Sequence, residues 1–505
     1  EKTFIGTAPA VTVVREDMNG TKASATYTPT VTPVTPTATP AETSGVQGAT
    51  QSGKPTFTEG DSRVPMNDDV AATFDDGSTT KTVDGVGTYT VAADGTVTFV
   101  PDPSFTGTAP AVTVVREDKN GSKASATYTP TVNPVTLTPT NKVSEDIQNV
   151  PQTETPTFAL SDDETAQITS KKLIDPATGQ PTDETTVTVA GEGTYTIDPT
   201  TGAVTFTPEK DFVGTATGVK VQATATITNA DGKTSTITSD ASYTPTVVAA
   251  VPTANPATSK DIQGATQTGT PTFAGTTVQV NGQDKAITIK DNSYTLLDND
   301  GNEVTSTPAY AEDGTTKIGT YSIDPATGQV TFTPTDKSYT GKVTPVKVQA
   351  ESSNGIKVDT TYTPEIVPVT PTATPAETTD IQGATQTGKP EFKGGTVTVD
   401  GVEKTVEINE DVPATFDDGS TTKTVDGVGT YTVAADGTVT FVPEKSFVGT
   451  APAVTVVRED VNGTKASATY TPTVTPVTPT AKDATSTGKQ GQTQTGKPEF
   501  TEGNS

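Results

Sequence analysis

DGVGTYTVAADGTVTFVP, from Asp84 to Pro101, is written a second time from Asp426 to Pro443. Tyr89, Val91, Val97 and Phe99 alternate with Thr88, Thr90, Thr96 and Thr98. This is the two-residue period of a strand with one wet face. Asp94-Gly95 lies between the two runs and supplies a reversal at which positive φ is cheap. The stretch reads as a β-hairpin.

Two looser versions stand between the identical copies: GTYTIDPTTGAVTFTP from Gly193 and GTYSIDPATGQVTFTP from Gly319. Both keep Tyr, Ile, Val and Phe on one face and replace the turn by a longer Asp-Pro-x-Thr-Gly reversal. Face and reversal persist while the letters change, so packing is the constraint. A second hairpin follows in AVTVVREDKNGSKASATYTP, with Val112 and Val114 before Asn120-Gly121, and Ala124, Ala126 and Tyr128 after it. Asn19-Gly20, Asn354-Gly355 and Asn462-Gly463 hold the same place, and Asp231-Gly232 serves in the third occurrence.

The phrase Tyr-Thr-Pro recurs at Tyr27, Tyr128, Tyr243, Tyr362 and Tyr470, at intervals of 101, 115, 119 and 108 residues. Each interval is one domain's worth of chain. An opening phrase recurs as QGATQSGKPTF at Gln47, with relatives at Gln148, Gln263, Gln382 and Gln490. The expected partition is a partial repeat (the C-terminal part) over 1–34, complete repeats over 35–135, 136–251, 252–369 and 370–477, and a partial repeat (the N-terminal part) over 478–505. The chain therefore reads as an excerpt of a longer array. Two hairpins, a strand near KPTF and one or two more give about six or seven strands per repeat, which suits a two-sheet sandwich. No segment has helical periodicity. The stretch TYTPTVTPVTPTATPAET, from Thr26 to Thr43, and its relatives predict extended, semi-rigid linkers. The fold class expected is all-β, with tandem sandwich-like domains strung by Pro/Thr-rich linkers into an extended rod.

Composition narrows what such a chain does. Hydrophobic residues make up 30% of the 505 and aromatics 5%, with no Trp, so the cores come in small parcels. There are 61 acidic and 33 basic side chains, a net charge of −28. Such a surface gains nothing from counterion release and repels phosphate, which excludes nucleic acid and anionic membrane as partners. No window approaches the roughly 18 apolar residues that span a bilayer, so no membrane insertion is expected, and no leader opens the chain. Cysteine is absent, as in many exported Gram-positive proteins.

Enzymatic readings fail early. Without His or Cys the chain lacks the commonest general base, the thiol nucleophile and most transition-metal ligands. No catalytic, cofactor-binding or metal residue is assigned, and no cofactor is expected. The carboxylate pairs Asp75-Asp76, Asp162-Asp163 and Asp417-Asp418 sit in Gly- and Ser-rich turns, where a solvated loop outweighs catalysis. LDNDGNEV, with Asp298, Asp300, Asn302 and Glu303, resembles the opening of a calcium loop but lacks a convincing downstream bidentate Glu, so a turn is favoured. Intramolecular Lys–Asn or Lys–Asp crosslinks would need a neutral amine in an apolar pocket, whereas Lys22, Lys123 and Lys465 fall on the polar side of their strand. Asn19, Asn120 and Asn462 match the glycosylation sequon, which their turn role already explains. Arg15, Arg116 and Arg458 recur in VVRED but give way to Lys220 and Lys347, which favours a solvated face over a shared binding site.

The ordered set GTY, T-F-x-P, F-x-G-T and Y-T-P, seen whole in Gly87 to Val132, resembles the CshA-type fibril repeat of streptococcal fibrillar surface adhesins, and it recurs along essentially the whole chain. The resemblance implies a stalk at the bacterial cell surface, extracellular and anchored to the cell wall through regions not in this chain. Its implied partners are a host matrix protein or other microbes, bound through a region also outside this chain. Two rival readings remain: repeats acting as multivalent weak binding modules for a host matrix protein or glycan, and weak fibril self-association through exposed sheet edges.

Overall fold

A computed structural model describes residues 1–503, and among them every regular element is a β-strand. The chain forms two compact units, Glu1–Ala249 with Val278–Lys285, and Ala250–Thr277 with Ala286–Ser505. The repeat, not the unit, is the level at which cores close, and the first complete repeat shows how.

Its strands are β1 (Thr37–Thr39), β2 (Ala41–Val46), β3 (Gln51–Gly53), β4 (Thr56–Thr58), β5 (Thr73–Phe74) and β6 (Thr80–Val83). They continue as β7 (Gly87–Val91), β8 (Val97–Pro101), β9 (Gly107–Thr108), β10 (Val112–Glu117) and β11 (Lys123–Asn133). The quoted stretch is the β7–β8 hairpin, with Tyr89 opposite Phe99 and Val91 opposite Val97. It sits in a four-stranded sheet of order β6-β7-β8-β3. The second hairpin, β10–β11, lies in a five-stranded sheet with β5, β9 and β2. The alternation predicted both: every residue of the Tyr89, Val91, Val97 and Phe99 face is buried, and so are Val112, Val114 and Tyr128 facing them. Tyr89 and Phe99 pack with ring centroids 4.5 Å apart at 32°. Such a pair adds about 0.5–1.5 kcal/mol beyond its buried area.

Each complete repeat closes its own cluster of this kind, around Tyr89 and Phe99, Tyr195 and Phe206, Tyr321 and Phe332, and Tyr431 and Phe441. In the leading partial repeat the hairpin Val11–Glu16 with Lys22–Tyr27 forms without a facing sheet, and Val13 is 60% exposed where its counterpart Val114 is fully buried.

Two features differ from the sequence reading. The first repeat has eleven strands rather than six or seven, because short pairs such as β1–β4 escape any periodicity. The Pro-rich stretch is mostly not a linker. Tyr-Thr-Pro lies inside β11, whose Tyr128 to Asn133 pair in parallel with Ala41 to Val46 of β2. Proline has no ladder donor, but the Pro130 carbonyl still accepts from Ala109 N at 2.9 Å, so it sits in the strand at little cost. What remains as a joint is short: residues 134–136 between the first two complete repeats, 249–252 and 368–371 at the later ones.

Candidate functional site

The opening phrase places two glutamines four residues apart, Gln47 and Gln51, and the spacing persists as Gln148/Gln152, Gln263/Gln267 and Gln382/Gln386 while the letters between change from Gly-Ala-Thr to Asn-Val-Pro. All but the partly exposed Gln382 are nearly inaccessible. A buried amide is costly unless its donors and acceptor are met, and the structure shows what meets each.

The second Gln closes a relay with the Tyr of Tyr-Thr-Pro. In the first repeat Tyr128 Oη and Thr43 Oγ1 share a hydrogen bond of 2.7 Å, Thr43 Oγ1 donates to Gln51 Oε1 at 2.6 Å, and Gln51 Nε2 donates to the Thr131 carbonyl at 2.9 Å. Tyr243–Ser144–Gln152, Tyr362–Ser259–Gln267 and Tyr470–Thr378–Gln386 repeat it. The relay ties strand β2 and its counterparts to the closing strand. Burial raises all four phenols, and the Ser or Thr hydroxyl opposes the rise. With the tyrosines neutral and their hydroxyls spent on Ser or Thr within the same repeat, the relay is a structural tie.

The first Gln holds the joint. Gln47 Oε1 accepts from Val135 N at 3.1 Å while Gln47 Nε2 donates to the Pro103 carbonyl at 2.7 Å. Gln263 Oε1 accepts from Val369 N at 3.0 Å, and Gln382 Oε1 from Val477 N at 3.4 Å. The joints are fastened to the repeat they leave.

The Asn-Gly tip of the second hairpin meets the other side of the joint. Asn462 Nδ2 donates to the Gln263 carbonyl at 2.9 Å and Gln263 Nε2 to Thr464 Oγ1 at 2.6 Å, so the fourth repeat is hydrogen-bonded to the third within one unit. In the other unit the contact comes not from the Asp231-Gly232 tip but from Asn229 at the start of the turn, whose Nδ2 donates to the Pro101 carbonyl at 2.8 Å, and from Ser235, whose Oγ donates to the Pro103 carbonyl at 2.6 Å. The sequence reading explained the Asn-Gly pairs as turns and missed this contact. The signal was present in the sequon-like Asn itself, whose amide remains available after the turn forms.

The residues weighed for chemistry are placed as follows. Asp298 spends Oδ1 on Asp300 N and Asn302 N at 2.9 and 2.8 Å, and Asn302 N is the first cause of its lowered pKa. Among the described residues no group of three acidic side chains could hold a metal ion. Asp75 and Asp76 bind Lys81, whose ammonium lies 5.5 Å from the Phe74 ring centre, and Asp417 and Asp418 bind Lys423 over Phe416 in the same way. Hydrogen bonding to Asp75 and Asp417 raises these amines, the opposite of what crosslinking needs. Asp162 caps its own loop through Glu164 N and Thr165 N. Lys22, Lys123 and Lys465 are exposed.

Arg116 and Arg458 depart from the expectation of a solvated face. Their side chains are 11% and 7% exposed and pair with Asp68 at 2.6 Å and Glu410 at 3.0 Å, folding the loop before β5 and its counterpart onto the hairpin. Beside them Asp118 and Asp460 are fully buried: Oδ1 accepts two turn amides, and Oδ2 has no partner.

A family model described as the surface adhesin CshA repetitive domain matches residues 1–31, 33–132, 134–247, 249–366 and 368–474. No curated protein shows significant similarity. Among solved structures the chain is similar to the protocadherin GammaB4 extracellular domain, 11% identical over 92% of this chain and 77% of that one with a TM-score of 0.27. Drosophila N-cadherin EC1-4 is 12% identical over 86% of this chain and 99% of its own, TM-score 0.18. Titin domains I67–I69 are 11% identical over 66% and 97%, TM-score 0.24.

Proposed function

Because the chain belongs to the family of the surface adhesin CshA repetitive domain, we propose that it is a length of stalk, which carries a binding region away from the bacterial cell wall. The family is that of a surface protein, and its repeats point to a structural, non-enzymatic role. The projecting role and the wall anchor are this proposal's own. The observation that carries it is that each complete repeat buries a separate Tyr–Phe–Val core and passes to the next through three or four residues. Repeats that do not share cores add length rather than bulk, and a joint whose backbone is held by a buried Gln resists folding back.

The recurrent Arg, the side chain best suited to a repeated binding site, is absorbed into packing at Arg116 and Arg458. That leaves the multivalent-module reading without its anchor. Small-angle scattering on residues 35–251 and on the whole chain tests the stalk. Its maximum dimension should grow nearly in proportion to repeat number; a four-repeat particle scarcely longer than the two-repeat one refutes it.

A further inference from the structure

The third and fourth complete repeats carry an element that the first two lack: an extra hairpin inserted after the KPTF-like strand. In the fourth it runs as Gly395–Val399 and Val402–Val406 around an Asp400-Gly401 tip with φ of 49° and 83°. Its own repeat does not need it for the core, since among its residues only Val399 and Val406 are buried apolar side chains and neither belongs to the Tyr431–Phe441 cluster.

The hairpin instead reaches the preceding repeat. Lys404 Nζ lies 2.5 Å from Asp261 Oδ1 on strand Ala257–Ile262 of the third repeat, with the two side chains 34% and 20% exposed. Asp261 is pre-positioned, because the same oxygen accepts Ile262 N at 2.7 Å. Next to it Lys260 pairs with Glu365 at 2.7 Å. Glu365, and more weakly Asp400, hold its ammonium above the usual range.

The first unit holds the same arrangement with different letters. Lys285 pairs with Asp146, whose Oδ1 accepts Ile147 N, and the neighbouring position is Glu145 rather than Lys260. The tip residue changes with it: Asn281 donates its backbone N–H to the Glu145 carboxylate and its amide to the Glu145 carbonyl, where the fourth repeat has Asp400 at the tip. An acidic receiver goes with a donor tip and a basic receiver with a carboxylate tip, in two places in one chain. The first complete repeat has Ser44-Gly45 at the receiving positions, and the second repeat, which follows it, has no inserted hairpin. Their joint is closed by the uncharged contacts of Asn229 and Ser235.

We propose that the inserted hairpin is a recognition element for a neighbouring repeat. Its stem Lys requires an Asp at the receiving position, and its tip reads the residue before that Asp. Hairpin-bearing repeats thereby follow Asp-bearing ones, and their joints are ionically locked. Asp380 of the fourth repeat presents the same surface: its Oδ1 accepts Ile381 N at 2.8 Å and its side chain is exposed, which fits it to receive a hairpin of the same kind. This reading does not depend on what the chain projects.

The chain has no cysteine, so spin labels on cysteines introduced at the exposed Thr335 and Val442 report the joint between repeats three and four, and labels at Asp84 and Thr188 report the uncharged joint. Lys404→Ala should widen the distance distribution at the first pair of sites, raising the open fraction by up to about fivefold, the ceiling for a partly exposed ion pair. The same change in an Asp261→Ala background should add nothing. Raising salt toward about 1 M should widen the ionic joint and leave the other unchanged. Widening by Lys404→Ala in both backgrounds, no widening in either, or equal salt response at both joints overturns the proposal. Circular dichroism of each variant separates a loosened joint from a lost fold.

Discussion

At the scale of single residues, the repeats spend their few buried polar groups on ties. The Tyr470–Thr378–Gln386 relay joins a sheet's first and last strands, and its members are unequal. Tyr470→Phe leaves Thr378 still donating to Gln386, so it should cost about 1 kcal/mol of the fourth repeat's stability. Gln386→Ala strands both the hydroxyl and the Thr473 carbonyl and opens a void. It should cost about 2–3 kcal/mol, and the order of the two by denaturant titration is the check. Asp460 makes a second comparison. Its turn needs only an Oδ1 acceptor, and Asn229 meets the same need in the second repeat through Asp231 N and Lys233 N at 3.1 Å. Asp460→Asn should therefore be tolerated within about 1 kcal/mol, whereas Asp460→Ala, which leaves two turn amides unmet, should cost about 1–3 kcal/mol. Equal losses for Asn and Ala would mean that the charge, not the turn, matters there.

At the scale of elements, the hairpins were legible because each carried two agreeing signals, a period of two and a turn with cheap positive φ. Legibility failed where only one signal existed. The receiving strand Ala41–Val46 reads AETSGV, with neither alternation nor β-branched enrichment, and pairs in parallel with a strand distant in sequence. Nothing local announces such a pairing, and the prolines beside it argued for a linker. The relay glutamines were visible as repeat markers, but a marker's letters do not say which carbonyl an amide will reach. Glycine roles divide similarly. Gly429, of the GTY phrase, has φ 154°, and a Cβ there would lie 2.4 Å from the Val442 carbonyl oxygen, whereas Gly463, of the Asn-Gly turn, has φ 85° and open space around it. Gly463→Ala should pay only the left-handed penalty of about 1–2 kcal/mol. Gly429→Ala must also push two paired strands apart and should cost more, about 3 kcal/mol or above. Thermal melts of the two variants settle it, and a reversed order would show that the β7–β8 type of hairpin yields more easily than its close backbone approach implies.

At the scale of the whole molecule, the absence of histidine and the burial of tyrosine fix the shape of the pH response. No side chain with an ordinary pKa between pH 5 and 8 exists in the chain. On the acid side, Asp94 and Asp436 are held below the usual carboxylate range, first by Lys54 and Lys389, and Asp313 is lowered to about 2, first by Thr316. A carboxylate depressed in the folded state contributes stability above its unfolded pKa, and that contribution fades as pH falls from about 4. These groups are solvent-exposed, so the acid loss should be shallow. On the alkaline side, burial pushes Tyr89 and Tyr431 up to about 12 and raises Tyr128, Tyr195, Tyr243, Tyr321, Tyr362 and Tyr470 as well. Below about pH 10 the phenol is neutral in both states and its burial is fully stabilising. Above that the unfolded chain ionises first, so stability falls as pH climbs toward 12. Each complete repeat carries two of these phenols in its core, so one titration acts on all four. The melting temperature should be flat from about pH 5 to 9 and drop steeply between 10 and 12, with tyrosinate absorbance appearing together with the loss of β-structure. Tyrosinate absorbance that develops fully while the circular dichroism stays native would show that the core phenols are open to water, and the separate sealed cores on which the stalk depends would not exist.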